Sequence, residues 1–153
     1  GVEFDALPSA ALLELYTDVG EILTRRGLTP EGWNPPQDYA ETLAKEAFAL
    51  TPETERGLMR DAQGRLVRVF GVRMAGLEET PLLPRNGLGE AESVVVILFE
   101  RDYQLSEAAI APASLIAEKA SIGAVPLGEA FFGAQGVQRV SSRLHRFTAE
   151  DFE

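Results

Sequence analysis

The amino-acid sequence predicts an α+β fold, an α/β sandwich in which helices flank a mixed β-sheet. Three observations carry this expectation. Two stretches in the first fifty residues repeat apolar side chains at three- and four-residue steps. After Gly57 the period shortens from about 3.6 residues to about 2, as strands require. Later comes an uninterrupted apolar run, Val94-Val95-Val96-Ile97-Leu98-Phe99, which suits a central strand covered on both faces. The order helix, helix, hairpin, central strand, strand, helix lays helices on a mixed sheet.

The first helix is expected over residues 10–26. Pro8-Ser9 starts it, Leu12, Leu15, Tyr16, Val19, Ile22 and Leu23 form its stripe, and Gly27 stops it. Residues 28–36 are punctuated by proline and glycine and carry the only tryptophan, Trp33. Each residue before a proline is pushed out of the helical basin, so this stretch is a loop. A second helix runs from Pro36 or Asp38 to about Leu50, with Ala40, Leu43, Ala44, Ala47 and Phe48 as its inner stripe, and Thr51-Pro52 ends it. Residues 58–65 and 66–73 read as a hairpin turning near Gln63-Gly64. Residues 75–92, rich in Gly, Pro, Glu and Asn, form a long irregular connection. Glu100 to Tyr103 turns the chain, and Gln104 to Ala111 returns as a strand. Pro112 opens a short helix over 113–120, where its missing N–H costs least. Val137 to Ser141 makes an edge strand, and Thr148-Ala149-Glu150-Asp151 caps a last helical turn.

Composition bounds the chemistry. The 153 residues are the size of one domain, spanning 1–153, and a chain of that length buries roughly 68–70% of its unfolded surface. A hydrophobic content of 45%, a charged content of 25% and a mean hydropathy of -0.04 exclude wholesale disorder. No apolar run approaches the ~18 residues a membrane span needs, and no basic-then-apolar leader opens the sequence. A cytoplasmic protein without membrane contact is expected. The absence of cysteine and the single histidine, His145, exclude disulfide scaffolds, thiolate catalysis and Cys/His zinc centres within one chain. A formal charge of -10 repels nucleic acid and anionic membranes. The one basic stretch, Arg56 to Arg73, holds five arginines; it reads as a solvated strand face, with phosphate contact as the alternative. Tyr16, Trp33, Tyr39, Phe131 and Phe132 are not spaced as a base-stacking platform and are expected in the core. His145, between Arg143 and Arg146, reads as tail surface.

The sequence holds no phosphate-cradling glycine loop, dinucleotide fingerprint, nucleophile elbow or zinc helix. What remains is a carboxylate on a helix followed by a hairpin. The stretch Asn34-Pro35-Pro36-Gln37-Asp38-Tyr39-Ala40-Glu41 resembles an uncharacterised bacterial family of the restriction-endonuclease-like, or PD-(D/E)XK, superfamily. In that family a helix opens with Asn-Asn-Pro and Gly-Asp-Tyr-Ala-Glu. A hairpin then reads Gly-Tyr-Asp, a turn with Asp-Gly, and a strand with Gln-x-Lys. Asn34, Pro35, Asp38, Tyr39, Ala40, Glu41, Gly57 and Gly64 agree with the pattern, whereas Trp33 and Gln37 depart from it. The resemblance extends from the first helix through Val94–Phe99 to the helix after Pro112, and it implies a restriction-endonuclease-like core. It also implies the positions of a metal-dependent nuclease site, and there the chain differs. Met59 stands where the family has its metal-binding Asp, and Arg68 and Phe70 stand where it has Gln and Lys.

Phosphodiester cleavage of this type needs carboxylates around Mg²⁺, a hard ion that wants oxygen ligands, and a cation beside the attacking water. A methionine thioether is a soft donor and Phe70 is uncharged, so Glu41 alone cannot make the site. Asp61 shares a strand face with Met59 and is the candidate for a displaced ligand, but it adjoins the turn, where Asp is favoured for local hydrogen bonds. Arg68 stands among Leu66, Phe70, Val72 and Met74 on one strand face. If that face is inner, Arg68 needs a partner, and Glu41 is the candidate. The alternative pairs Glu41 with Lys45 at i+4 and leaves Arg68 in solvent.

The functional expectation is a catalytically inactive nuclease-fold domain, needing no metal or cofactor, that serves as a binding or assembly module. Its acidic balance suits a basic protein partner, or self-association through strand edges or the first helix. One alternative is a Mg²⁺-dependent DNA nuclease with displaced ligands, using Glu41, Asp61 and Arg68. Another is DNA binding without cleavage, on Arg56, Arg60, Arg65, Arg68 and Arg73.

Overall fold

A computed structural model of the chain describes residues 4–28, 32–74, 80–83 and 88–149, and the side chains up to residue 146. After a 3-10 turn, Phe4–Ala6, come two helices, α1 (Ser9–Arg25) and α2 (Pro35–Phe48). A short strand β1 (Thr51–Pro52) leads into the hairpin β2 (Leu58–Arg60) and β3 (Leu66–Arg73). There follow β4 (Leu82–Leu83), β5 (Ser93–Phe99), β6 (Leu105–Pro112), α3 (Ala113–Ile122), β7 (Val125–Pro126), α4 (Glu129–Phe132), β8 (Gln138–Arg139) and α5 (Ser141–Ala149). The architecture is α+β with a mixed sheet.

The main sheet has the order β1-β2-β3-β5-β6-β8, and β4 and β7 form a separate antiparallel pair. All its neighbours are antiparallel except β3 and β5, which run parallel from Val67↔Ser93 to Arg73↔Phe99. A parallel pair needs a crossover of about a dozen residues or more, and residues 74–92 supply it. Alternation along β3 and β5 divides the core in two. Val67, Val69, Val95, Ile97 and Phe99 face α2 and α5, while Phe70, Val94, Val96 and Leu98 face α3 and α4. The run 94–99 is therefore buried on both sides, as its composition predicts. A register irregularity between Leu98 and Phe99 shifts β6 by one residue, so that Leu105 and Ala108 reach the same face.

The α2 stripe Ala40, Leu43, Ala44 and Ala47 is buried, with Tyr39 stacked 5.0 Å from Phe99. Asn34 caps the helix, accepting from the Gln37 N–H at 3.4 Å, and the helix ends at Ala49 in the left-handed region. Beyond β5 the chain turns at Tyr103, whose φ of 67 is uncommon for a side chain of this size. Three contacts hold it there: the phenol shares a 2.6 Å hydrogen bond with Thr17, the Arg73 guanidinium lies 4.9 Å from its ring centre, and Phe99 packs alongside. Burial pushes the Tyr103 phenol above its ordinary value.

Three expectations are corrected. The terminal helical turn at 148–151 is the end of a longer helix, α5, whose start is marked by Ser141; its hydroxyl accepts the Ala108 N–H at 2.9 Å and donates to Glu107 at 2.8 Å. Residues 150–151 lie outside the described residues. The irregular connection 75–92 contains β4, while 75–79 and 84–87 lie outside the described residues. Tyr16 is 44% exposed and is not a core residue, because α1 turns its small side chains inward. No helix among the described residues is long and apolar enough to cross a membrane.

α2 crosses β3 at Gly71, where a Cβ would stand 2.3 Å from the Pro36 carbonyl oxygen and 2.5 Å from the Ala40 methyl. Gly71→Ala should therefore lower stability by about 1–3 kcal/mol through overpacking, read as a fall in the urea midpoint. Gly123→Ala, at an extended backbone with open space around it, should leave the midpoint near the wild-type value.

Candidate functional site

The pairing of β2 with β3 ends at Leu58↔Arg68, so the outer edge of β3 continues without a strand beside it. Buried backbone groups there need partners. Gly57 accepts the Val69 N–H at 2.8 Å. Gln37, on the first turns of α2, does the rest: its amide donates to the Val69 carbonyl at 2.7 Å and accepts from the Gly71 N–H at 2.9 Å. One side chain thus stands in for a missing strand residue. Gln37 thus has a structural use.

Four residues further along α2, Glu41 accepts from the Gly57 N–H at 3.1 Å, and its second oxygen lies 3.8 Å from the Arg56 Nε. Arg68 reaches the same peptide group from the other end, donating from Nη1 to the Arg56 carbonyl at 2.9 Å. Glu41 and Arg68 therefore grip the 56–57 peptide by its two polar ends. Gly57 is required twice, by its φ of 83 and because a Cβ would stand 3.2 Å from the Gln37 amide and 3.3 Å from the Val69 carbonyl oxygen. Neither pairing expected for Glu41 is present: Arg68 takes Glu55 at 3.3 Å as its charged partner, and Glu41 takes Arg56 rather than Lys45. Arg68 is only 4% exposed and its Nε and Nη2 donate no hydrogen bond among the described residues, so its burial is incompletely compensated.

Glu41, Met59, Arg68 and Phe70, the positions that the resemblance singles out, do not meet in one cluster. Met59 opposes Val67, is 1% exposed and lies in the core between the sheet and α2. Phe70 lies on the opposite side of the sheet with α3 and α4. Arg68 shares the Phe70 face but folds back over the loop that precedes β2. Asp61 is not a ligand to anything beside Glu41. It closes the hairpin turn, its Oδ1 accepting from the N–H groups of Gln63 and Arg65, both at 2.9 Å, and its Oδ2 from Arg65 Nε at 3.0 Å. The Arg65 backbone N–H, above all, holds the Asp61 carboxyl below its ordinary value. Among the described residues no group of three or more His, Cys, Asp or Glu is placed to hold a metal ion. The donors present do not fit magnesium: one carboxylate committed to a backbone N–H, one thioether across the strand, and one carboxylate closing a turn.

The arginines proposed for phosphate contact are each engaged within the chain. Arg56 pairs with Asp38 and donates to the Gly32 carbonyl at 2.7 Å. Arg60 meets Glu53 at 2.6 Å, and Arg65 meets Asp61. Arg73 donates from Nε to the Arg101 carbonyl at 2.8 Å over the Tyr103 ring. Such exposed pairs are individually weak, but they leave the stretch 56–73 without a free row of cations. Sequence reasoning missed Gln37 and Glu55, whose roles depend on where β2 stops. Comparison with protein-family models finds no match to the chain, and comparison with curated proteins finds none.

Two outcomes follow. Glu41→Ala leaves the Gly57 N–H unpaired and should cost about 1–3 kcal/mol of stability, whereas Glu41→Gln keeps an acceptor oxygen and should cost much less, in urea denaturation. For Asp61 the folded value lies below the unfolded one, so its contribution is present above the ordinary carboxylate range and is lost as pH falls through that range. Comparing wild type with Asp61→Asn at pH 6 and at about pH 3 should show the wild-type advantage shrinking on the acid side.

Proposed function

We propose that the chain is a nuclease-fold domain that does not cleave nucleic acid and acts as a binding or assembly module for another protein in the cytoplasm. The observation that carries this reading is the engagement of Glu41: the one family carboxylate retained is spent on the Gly57 N–H, at the opposite end of a peptide held by Arg68. A residue fixed in this way positions a loop and leaves no free oxygen pair for a hard cation. The preference for protein over DNA is supported by the formal charge of -10 and by the internal pairing of Arg56, Arg60 and Arg65. A surface suited to protein contact is also present. On α1, Leu15, Tyr16, Val19 and Ile22 are 40–49% exposed on one helix face.

Purified protein incubated with plasmid and with single-stranded DNA in Mg²⁺ and in Mn²⁺ should leave both intact. Cleavage that Glu41→Ala abolishes would overturn the reading. No retention on DNA is expected at low salt; retention that weakens steeply with salt and on neutralising Arg65 and Arg73 would replace protein by DNA as the partner.

A further inference from the structure

We infer that Arg68 receives a carboxylate from outside the chain, on the Nε and Nη2 edge of its guanidinium and in place of the Glu55 side chain. This goes beyond the protein-binding reading and does not depend on it. The Arg68 side chain is 5% exposed, and Nη1 donates to the Arg56 carbonyl at 2.9 Å. Nε and Nη2 are buried with no hydrogen-bond acceptor among the described residues. Together those two atoms form a recognition edge. In the planar guanidinium the Nε–H and one N–H of Nη2 run parallel along one side, the fork that takes both oxygens of a carboxylate at once. Holding the 56–57 peptide uses Nη1 alone. A buried cation with a whole donor edge unmet is costly until an anion meets it.

Glu55 marks the way in. Its Oε2 lies 3.3 Å from Nη2 without making a hydrogen bond, and its side chain is 64% exposed. It touches one end of the fork and leaves Nε unmet. The Glu55 backbone is tied, its carbonyl accepting the Leu58 N–H at 3.1 Å, so the carboxylate can swing outward on side-chain torsions while the loop stays in place. Gly89, exposed and at a φ of 52, borders the same end: a Cβ there would stand 3.4 Å from Nη2, and its absence keeps that side clear. An incoming carboxylate replaces one single negative charge by another and gains the Nε contact that Glu55 lacks. A doubly charged phosphate is the poorer fit, because Glu55 stays at the rim, Glu90 follows Gly89 in the chain, and the net charge is -10.

The test uses the full chain, labelled for NMR, at about pH 7, where propionate is ionised. The Arg68 Nε–H and Gly89 amide signals are followed during titration with sodium propionate, sodium phosphate and sodium chloride at matched ionic strength. Propionate should move both signals saturably, and chloride should not. Glu55→Gln keeps the shape of an exposed side chain and removes the competing charge, so it should tighten propionate binding roughly fivefold. Arg68→Lys keeps the charge without the fork and should leave the Gly89 amide unmoved. If that variant does not fold, the Glu55→Gln comparison decides alone. A short blocked peptide carrying one Glu, set beside its Gln counterpart, separates the sources. Tighter binding of the Glu peptide than of propionate assigns the site to an acidic side chain of another protein, and weaker binding assigns it to a free small acid. A linear response shared with chloride, tighter binding of phosphate than of propionate, or unchanged affinity in Glu55→Gln would overturn the proposal.

Discussion

The outer edge of β3 is the constraint on which the rest of the structure depends. β2 pairs with it over three residues and then turns away, leaving the strand's carbonyl and N–H groups facing the protein interior rather than water. Gln37 and Gly57 satisfy them, and both can do so only if α2 lies against the strand. Gly71 makes that approach possible by having no side chain where α2 passes. Once α2 is held there, Ala40, Leu43, Ala44 and Ala47 cover one face of the sheet, and α5 completes the layer against α2 and β6.

The same approach decides the chemistry of Glu41. Glu41 and Arg68 are not paired with each other; both are used on a shared neutral group. Each polar end of the 56–57 peptide takes one of them. The carboxylate is shielded, the guanidinium is buried, and Glu55 at 3.3 Å supplies charge balance from the solvent side. A pair of ionic side chains arranged around backbone in this way fixes the loop entering β2. It differs in kind from a set of oxygens converging on an empty point, which is what metal chemistry needs.

α1 shows how an amphipathic pattern can mislead about direction. Periodicity identifies an apolar stripe but not which neighbour covers it. The helix lies against α2 through Ala10, Thr17 and Gly20, because small side chains admit the Trp33 ring and the Tyr103 phenol. The large side chains Leu15, Tyr16, Val19 and Ile22 are thereby left facing outward.

The elements were largely legible in the sequence because their signals are local. Periodicity marked both long helices, Gln63-Gly64 marked the hairpin turn, and the apolar run 94–99 marked a strand buried on both faces. The short elements β1, β4, β7 and α4 escaped, since two to four residues carry no period. α5 escaped because its contacts are with α2 and β6, distant in sequence. The candidate residues could be named from sequence but not grouped. Whether Met59 and Arg68 share a face depends on strand parity, and whether Glu41 meets Arg68, Lys45 or a backbone N–H depends on where β2 stops. Composition and order of residues thus determined that helices would cover a mixed sheet. Only the tertiary packing decided which polar groups were left needing partners, because that need arises where strands part and a helix must close the gap.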